Sequence, residues 1–305
     1  MTSATDALAS GMARAAAESA PWTLPEELLI DTSIARRIIA QFIRGHLEQT
    51  GFERIVLALS GGLDSALVAY LVAEAIGAHN LRCILMPYRS SSPASRADAE
   101  EVVGALGCES GLVDITPIVD GYFETAPGGA EVARGRRGNF AARARMSVIY
   151  DESAAWSALV IGTGNKTEAL LGYTTIYGDS AAALLPIGDL YKSQVRQLAM
   201  AMGVPDAILR KPPTADLWPN QTDEGELGMT YPELDRLLYW LIDRRRSRPQ
   251  LLKMGFAEAT IDRIERMVAA SEFKRQTPPV AKLTTRTPGV DYLYPRRRPR
   301  SRAGG

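Results

Sequence analysis

Apolar residues recur at helical spacing between Thr32 and Gln49, at Ile34, Ile38, Ile39, Phe42 and Ile43, and the short apolar run RIVLALS follows at 54–60. The pattern predicts a helix leading into a buried strand. Residues Asp64 to Ile76 are apolar nearly all round, as in a helix packed on a sheet, and Gly77 supplies a stop. LRCILMP at 81–87 predicts a second strand, 94–107 a helix with acidic residues on one side, and SGLVDITP at 110–117 a third strand. A Gly-rich stretch, 126–139, interrupts the alternation before a helix at 140–154 and a fourth strand at 158–164. Another helix starts near Asn165, and 192–203 form an amphipathic helix closed by Gly203. Residues 210–228 hold three prolines and no period, which points to a functional lid or a disordered stretch. Amphipathic helices at about 231–245 and 257–271 complete the pattern. Strands alternating with helices imply parallel pairing through right-handed crossovers, so the expected fold is α/β, a three-layer Rossmann-like parallel sheet flanked by helices.

Length and composition narrow this picture only in part. A chain of 305 residues is expected to form one domain over 25–280, between an Ala-rich tail at 1–24 and a basic, Pro-rich, solvated tail at 281–305. Lysine plus arginine balance aspartate plus glutamate at 35 each, so no net field draws the chain to nucleic acid or membrane, and an anionic ligand must be held by a local site. Cys83 and Cys108 are the only cysteines and form no CxxC pair, which argues against a disulfide framework or zinc site and fits a reducing cytoplasm. The N-terminal stretch lacks the basic start and unbroken apolar core of a secretory signal, and no stretch reads as membrane-spanning.

The candidate chemistry centres on SGGLDS, residues 60–65, at the turn between the first strand and its helix. Such a turn is where open parallel sheets bind ligands. Gly61 and Gly62 would let backbone N–H groups approach an anion, and the helix N-terminus adds unpaired N–H groups and a positive dipole. A Walker loop would carry a lysine here, whereas this chain places Asp64. An aspartate repels bare phosphate unless a metal ion bridges the two, so the motif implies Mg²⁺ together with a polyphosphate. It resembles the pyrophosphate-gripping loop of the N-type ATP pyrophosphatases. Members of that group cleave ATP between the α and β phosphates and adenylate a carboxyl or carbonyl oxygen.

Five further stretches, GNFAARARM (138–146), GTGNKTEALLGYTTIYGD (162–179), PIGDLYKSQVRQLA (186–199), KPPTADLWPNQTDEGELG (211–228) and FKRQTPP (273–279), resemble the NAD synthetases in order and spacing over about residues 30–280. The resemblance implies ATP-dependent amidation of nicotinic acid adenine dinucleotide with ammonia, through an adenylated carboxylate, with release of AMP and pyrophosphate. It also implies roles for residues at matching positions. Asp64, Glu168 and Thr214 would hold Mg²⁺. Ser60, Gly61, Gly62, Leu63 and Ser65 would surround the phosphates, and Lys192 would neutralise their growing charge, making Asp64, Lys192 and Thr214 the catalytic set. Thr163 would lie near the adenosine, and Asn139, Asp179 and Lys274 would face the dinucleotide. Arg143 and Arg145 are two apart on one helix and cannot share a face; Arg143 is the choice for ATP.

Members of the family are homodimers, with the helices around 32–49 and 139–153 as candidate surfaces here, and residues 212–226 would close over the site. Many members carry a lysine and a second aspartate where this chain has Ile176 and Ala183, which leaves the dinucleotide contacts the least defined. Only about 50 residues precede the first strand, too few for a glutaminase domain, so free ammonia is the expected nitrogen donor. Neither His46 nor His79 lies near a motif, which argues against a Ser/His/Asp mechanism. Other adenylating enzymes with this loop, such as a tRNA-modifying thiolase or GMP synthetase, would bring catalytic cysteines or a basic RNA-binding domain in the thiolase case. A non-catalytic nucleotide-binding module would have less need of three candidate metal ligands.

Overall fold

A computed structural model describes residues 24–128, 132–214 and 222–289. Most of both tails and the middle of the expected lid, 215–221, lie outside the described residues. Four parallel strands, β1 (Ile55–Ala58), β2 (Leu81–Leu85), β3 (Glu109–Leu112) and β4 (Leu159–Ile161), form one sheet in the order β3-β2-β1-β4. Leu57 stands opposite Cys83 on one side and Ile161 on the other. The chain runs outward from β1 through β2 and β3, then returns to the far side of β1 as β4. The order therefore reverses between β1 and β4, and a crevice opens at their carboxyl ends.

Alternation along β1 sends Ile55 and Leu57 to one face and Val56 to the other, and each face is covered by helices. Helices α1 (Thr32–Thr50), α2 (Leu63–Ile76) and α3 (Pro93–Leu106) pack on the first face. Helices α4 (Thr116–Thr125) and α5 (Arg134–Trp156) cover the second. The three-layer arrangement matches the expected fold class. Asp31 starts α1 by accepting from the N–H groups of Ser33 and Ile34 at 2.9 Å, and Gly51 ends it in the left-handed conformation.

Beyond β4 come α6 (Lys166–Leu171), α7 (Lys192–Ala201), α8 (Asp206–Arg210), α9 (Asp223–Leu227), α10 (Tyr231–Leu238), α11 (Arg248–Lys253) and α12 (Glu258–Ala270). Helix α7 joins the first face through Val195, Leu198 and Ala199. A separate apolar cluster joins α10, α11 and α12 to Leu171 and Tyr191, so the C-terminal helices buttress the segments that carry the site.

Several boundaries differ from the sequence expectation. The third strand stops at Leu112; Val113 and Ile115 after it donate their N–H groups to the Leu85 and Pro87 carbonyls, and α4 begins at Thr116, whose N–H donates to Asp114 at 2.8 Å. Helix α5 begins at Arg134, six residues early, because Gly138 is buried on its packed face and takes up no room there. The helix expected at 231–245 ends as an α-helix at Leu238 and widens into a π-turn over Tyr239–Asp243. Helix α11 lay in what read as a connection, begun by reciprocal hydrogen bonding between Ser247 and Gln250. No helix among the described residues is long and apolar enough to cross a membrane.

Candidate active site

The crevice is a cavity of about 750 Å³ running from the β1–α2 turn past β4 to the start of α9. The turn is internally braced. Ser60 N–H donates to Ser65 Oγ at 3.2 Å, the two hydroxyls lie 3.0 Å apart, and Gly62 N–H donates to Ser60 Oγ at 3.2 Å. Ser60, Gly62, Leu63, Asp64 and Ser65 all line the cavity. Gly61 does not. It has φ of +75°, and a Cβ there would lie 1.9 Å from the carbonyl oxygen of Ser95 in α3, so its glycine is required by conformation and close approach.

Asp64 sits in the first turn of α2, where the helix dipole favours an anion. Its Oδ1 accepts from Asn165 Nδ2 at 3.0 Å and its Oδ2 is ion-paired with Lys192 Nζ. Lys192 opens α7 and is only 4% exposed. A lysine at a helix N-terminus opposes the dipole, and here two carboxylates outweigh that: besides Asp64, Glu168 Oε1 lies 3.9 Å from the ammonium. Burial alone would draw the Lys192 pKa down, but the charges of Asp64 and Glu168 hold it above the usual lysine range. Glu168 caps α6 together with Asn165, accepting that residue's N–H through Oε2 at 3.1 Å, which leaves Oε1 facing the cavity. Burial, then the charge of Asp64, pushes the Glu168 carboxyl up to about 8 despite the opposing pull of Lys192.

Asp64 and Glu168 present carboxyl oxygens on either side of one ammonium, and Thr214 lines the same cavity. Hard oxygen donors of this kind suit Mg²⁺, and a divalent cation would displace the proton that Glu168 otherwise retains. Among the described residues no group of three or more His, Cys, Asp and Glu gathers as a metal cluster, so a hydroxyl donor such as Thr214 would be needed to complete the set.

The other expected residues divide. Thr163 and Asn139 line the cavity, and Asn139 accepts from Thr175 Oγ1 at 2.8 Å. Asp179 lies at its exposed rim and accepts from Thr175 N–H at 2.7 Å. Lys274 does not line it: its ammonium donates to the carbonyls of Gly172 and Thr174, both at 2.7 Å, and so supports the wall from behind. Of the arginine pair, Arg145 faces the cavity and donates to the Met86 carbonyl at 2.9 Å, whereas Arg143 is exposed and donates to the Ile176 carbonyl at 3.3 Å. The helix period does separate the two, and the packed face of α5 turns Arg145, not the expected Arg143, toward the cavity. Ala183 is exposed, and its N–H donates to the Val160 carbonyl, so the position extends the sheet pairing beside β4.

Sequence reading assigned no role to Asp223 and Glu226, although their segment was among the motifs. Both line the cavity. Asp223 is 4% exposed and accepts from Tyr231 at 3.0 Å and Tyr173 at 3.3 Å, while Tyr173 also donates to Glu226 at 2.7 Å. Lys211, also in the wall, donates to Asp98 at 2.7 Å and Ser95 at 3.0 Å and ties the entry of the 211–214 segment to α3. Residues 215–221 of the expected lid lie outside the described residues. Cys83 and Cys108 are buried free thiols 3.8 Å apart that do not line the cavity and pack as small core residues.

Known proteins resemble this arrangement over most of the chain. The family model NAD synthase matches residues 35–278. An NH(3)-dependent NAD(+) synthetase of Chlorobaculum parvum is 46% identical over 272 residues, covering 89% of this chain and 97% of the relative. Among solved structures, an NMN synthetase from Francisella tularensis superimposes with a TM-score of 0.74 at 29% identity, covering 83% of this chain and 99% of the other. An NH3-dependent NAD synthetase from Campylobacter jejuni gives 0.71 at 32% identity, covering 83% and 100%. With the β1–α2 turn, the cluster of Asp64, Glu168 and Lys192 and these likenesses in agreement, the chain belongs to the NAD synthase family and is a ligase that forms a carbon–nitrogen bond.

Proposed function

We propose that the chain amidates nicotinic acid adenine dinucleotide to NAD⁺, taking nitrogen from free ammonia and driving the reaction with ATP cleaved between the α and β phosphates. One observation carries the reading: Asp64, Glu168 and Lys192 converge beside the β1–α2 turn, at the carboxyl ends of β1 and β4. A nicotinate carboxylate oxygen attacks the α phosphorus, the bond to the bridging oxygen breaks, and pyrophosphate leaves. Ammonia then adds to the adenylated carbonyl carbon, AMP departs, and the surplus proton passes to solvent or a nearby carboxylate.

Displacement at phosphorus calls for positioning and charge stabilisation more than for proton chemistry. Lys192 neutralises charge on the departing phosphates, the first turn of α2 offers backbone N–H groups, and Arg145 replaces Arg143 as the ATP-side arginine. Asp64, Glu168 and Thr214 would hold Mg²⁺, which when bound offsets phosphate charge and orients the chain for in-line attack. Asn139 and Asp179 would meet the dinucleotide, and Lys274 acts by shaping the 172–175 wall. Residues 212–226 would exclude water from the adenylate, which limited proteolysis with and without all substrates would test, equal cutting arguing against closure.

Supplied with ATP, Mg²⁺, the dinucleotide and either ammonium or glutamine, the purified protein should form NAD⁺, AMP and pyrophosphate with ammonium only. ADP as the nucleotide product would overturn the mechanism. We further read the protein as a cytoplasmic homodimer. Ile34, Ile38 and Phe42 form a stripe on α1 that is 45%, 61% and 46% exposed, more apolar surface than an isolated helix face needs. Sedimentation of Ile38→Glu should give half the mass of the parent, and a monomeric parent would remove the dimer.

A further inference from the structure

Helix α10 carries a buried carboxylate outside the cavity wall that the mechanism above leaves unused. Asp235 is 0% exposed. Its Oδ1 accepts from Thr167 Oγ1 at 2.6 Å, and its Oδ2 accepts from both Ser193 N–H and Ser193 Oγ at 2.7 Å. Thr167 Oγ1 in turn accepts from Lys192 N–H at 3.0 Å. Thr167 immediately precedes Glu168, and Ser193 immediately follows Lys192. One carboxylate therefore grips the chain neighbours of both groups that share the cation site, and it caps the first turn of α7 from another helix.

A purely apolar core would hold α6, α7 and α10 together at lower desolvation cost. What the carboxylate adds is direction. Both its oxygens are committed, its donors are short and charge-assisted, and they fix the rotation of two helix N-termini about their own axes. A rotation of either would swing Glu168 or Lys192 away from the phosphates without disturbing the packing of the remaining turns.

We propose that Asp235, acting through Thr167 and Ser193, is a positioning residue that sets the separation and orientation of Glu168 and Lys192 for the adenylation step. This rests on the reading that Lys192 acts on the phosphates, so the test separates the two. Steady-state NAD⁺ formation is measured for Thr167→Val, Thr167→Ser, Asp235→Asn and Lys192→Met, with thermal unfolding of each. Thr167→Val keeps the shape but removes both the donor to Asp235 and the acceptor for Lys192 N–H; Thr167→Ser keeps them.

Thr167→Val and Asp235→Asn should lower kcat by about tenfold to a hundredfold, with KM for ATP changed less than about threefold, since misplacement by about 1 Å can cost that much. Thr167→Ser should return kcat to within about threefold of the parent. If Asp235→Asn does not fold, the two Thr167 variants decide. A Thr167→Val enzyme that melts early yet keeps its kcat, or a Thr167→Ser enzyme as slow as Thr167→Val, overturns the proposal. Should Lys192→Met lose activity while Thr167→Val and Asp235→Asn keep it, the positioning role alone fails; should Lys192→Met stay active, the reading of Lys192 fails and the proposal with it.

Discussion

Two adjacent glycines in the β1–α2 turn should respond to alanine in opposite ways. At Gly61 the backbone has φ of +75°, and a Cβ would meet Ser95 O at 1.9 Å, Ser95 C at 2.8 Å and Ser95 Cα at 3.2 Å. The left-handed conformation costs an alanine about 1–2 kcal/mol. Restoring an ordinary contact of 3.4 Å to the oxygen requires the turn and the start of α3 to separate by about 1.5 Å. That oxygen is backbone in the first turn of a helix and Lys211 holds the same residue's side chain, so the neighbour cannot swing aside as a flexible side chain would. Overpacking of this kind adds about 1–3 kcal/mol, for a total loss of about 2–5 kcal/mol. Asp64 lies three residues on, and a shift above 1 Å there should cost about 10² in kcat/KM.

Gly62 differs on each point. Its φ is −93°, within reach of any residue, and the nearest atom to a Cβ would be the Ser60 hydroxyl at 3.2 Å, which can rotate. Gly62→Ala should therefore fold with stability within about 1 kcal/mol of the parent, its effect confined to phosphate binding as a raised KM for ATP. Urea unfolding and steady-state NAD⁺ formation on both variants decide. A Gly61→Ala protein within about 1 kcal/mol and threefold activity of the parent, or a Gly62→Ala protein destabilised by about 2 kcal/mol or more, would refute the reasoning.

Asp64→Ala removes the nearest partner of a buried ammonium and should cost about 3–5 kcal/mol in chemical unfolding besides abolishing NAD⁺ formation, an unchanged stability counting against the buried pair. Arg145→Ala should raise KM for ATP about tenfold or more while Arg143→Ala leaves it within about twofold; the reverse ranking would restore the sequence-based choice. Burial pushes the Asp235 carboxyl from 3.8 up to about 6, against hydrogen bonds from Ser193 and Thr167 and the charge of Lys192. A raised pKa means the folded state binds the proton more tightly than the unfolded chain. The stability it contributes is complete below about pH 4 and is lost as pH rises through about 6, an interval worth ~3 kcal/mol. The stability gap between the parent and Asp235→Asn should narrow by that amount from pH 4 to 7.5, and a gap that does not change with pH removes the claim.

The sheet, its helical covering and the place of the β1–α2 turn were legible because they rest on local signals: period, helix-ending glycines and one contiguous hexapeptide. What escaped reading was set by packing between distant segments. The pair Arg143 and Arg145 could be split by helix period but not assigned, since which face of α5 meets the sheet depends on Ala141, Ala144 and Ile149 packing together. Lys274 read as a substrate contact because it is a cation in a matching segment; only the fold shows its ammonium taken up by two backbone carbonyls. Asp235 gave no signal at all. In sequence it is one more acidic residue on an amphipathic helix, and its meaning arises only where α10 meets the N-termini of α6 and α7.

The distribution of charge around the turn bears on which bond of ATP breaks. A loop that carries its own lysine holds that cation beside the phosphates it cradles. Here the turn brings a carboxylate instead, and the cation arrives from α7, more than 120 residues later in the chain, where Asp64 already pairs with it and Glu168 lies 3.9 Å away. In that state Lys192 is not free to bind phosphate. A divalent cation held by Asp64 and Glu168 would give the carboxylates a replacement partner and would leave the Lys192 ammonium available to phosphate oxygens. The carboxylates would keep a cationic partner throughout the exchange, so neither would be left buried without compensation. The site would then be organised by the arrival of the metal–nucleotide pair and not by the nucleotide alone. The missing lysine and the buried ion pair would then be one design, in which the Lys192 ammonium is held by Asp64 beside the turn and would become available to phosphate once another cation occupied the carboxylates.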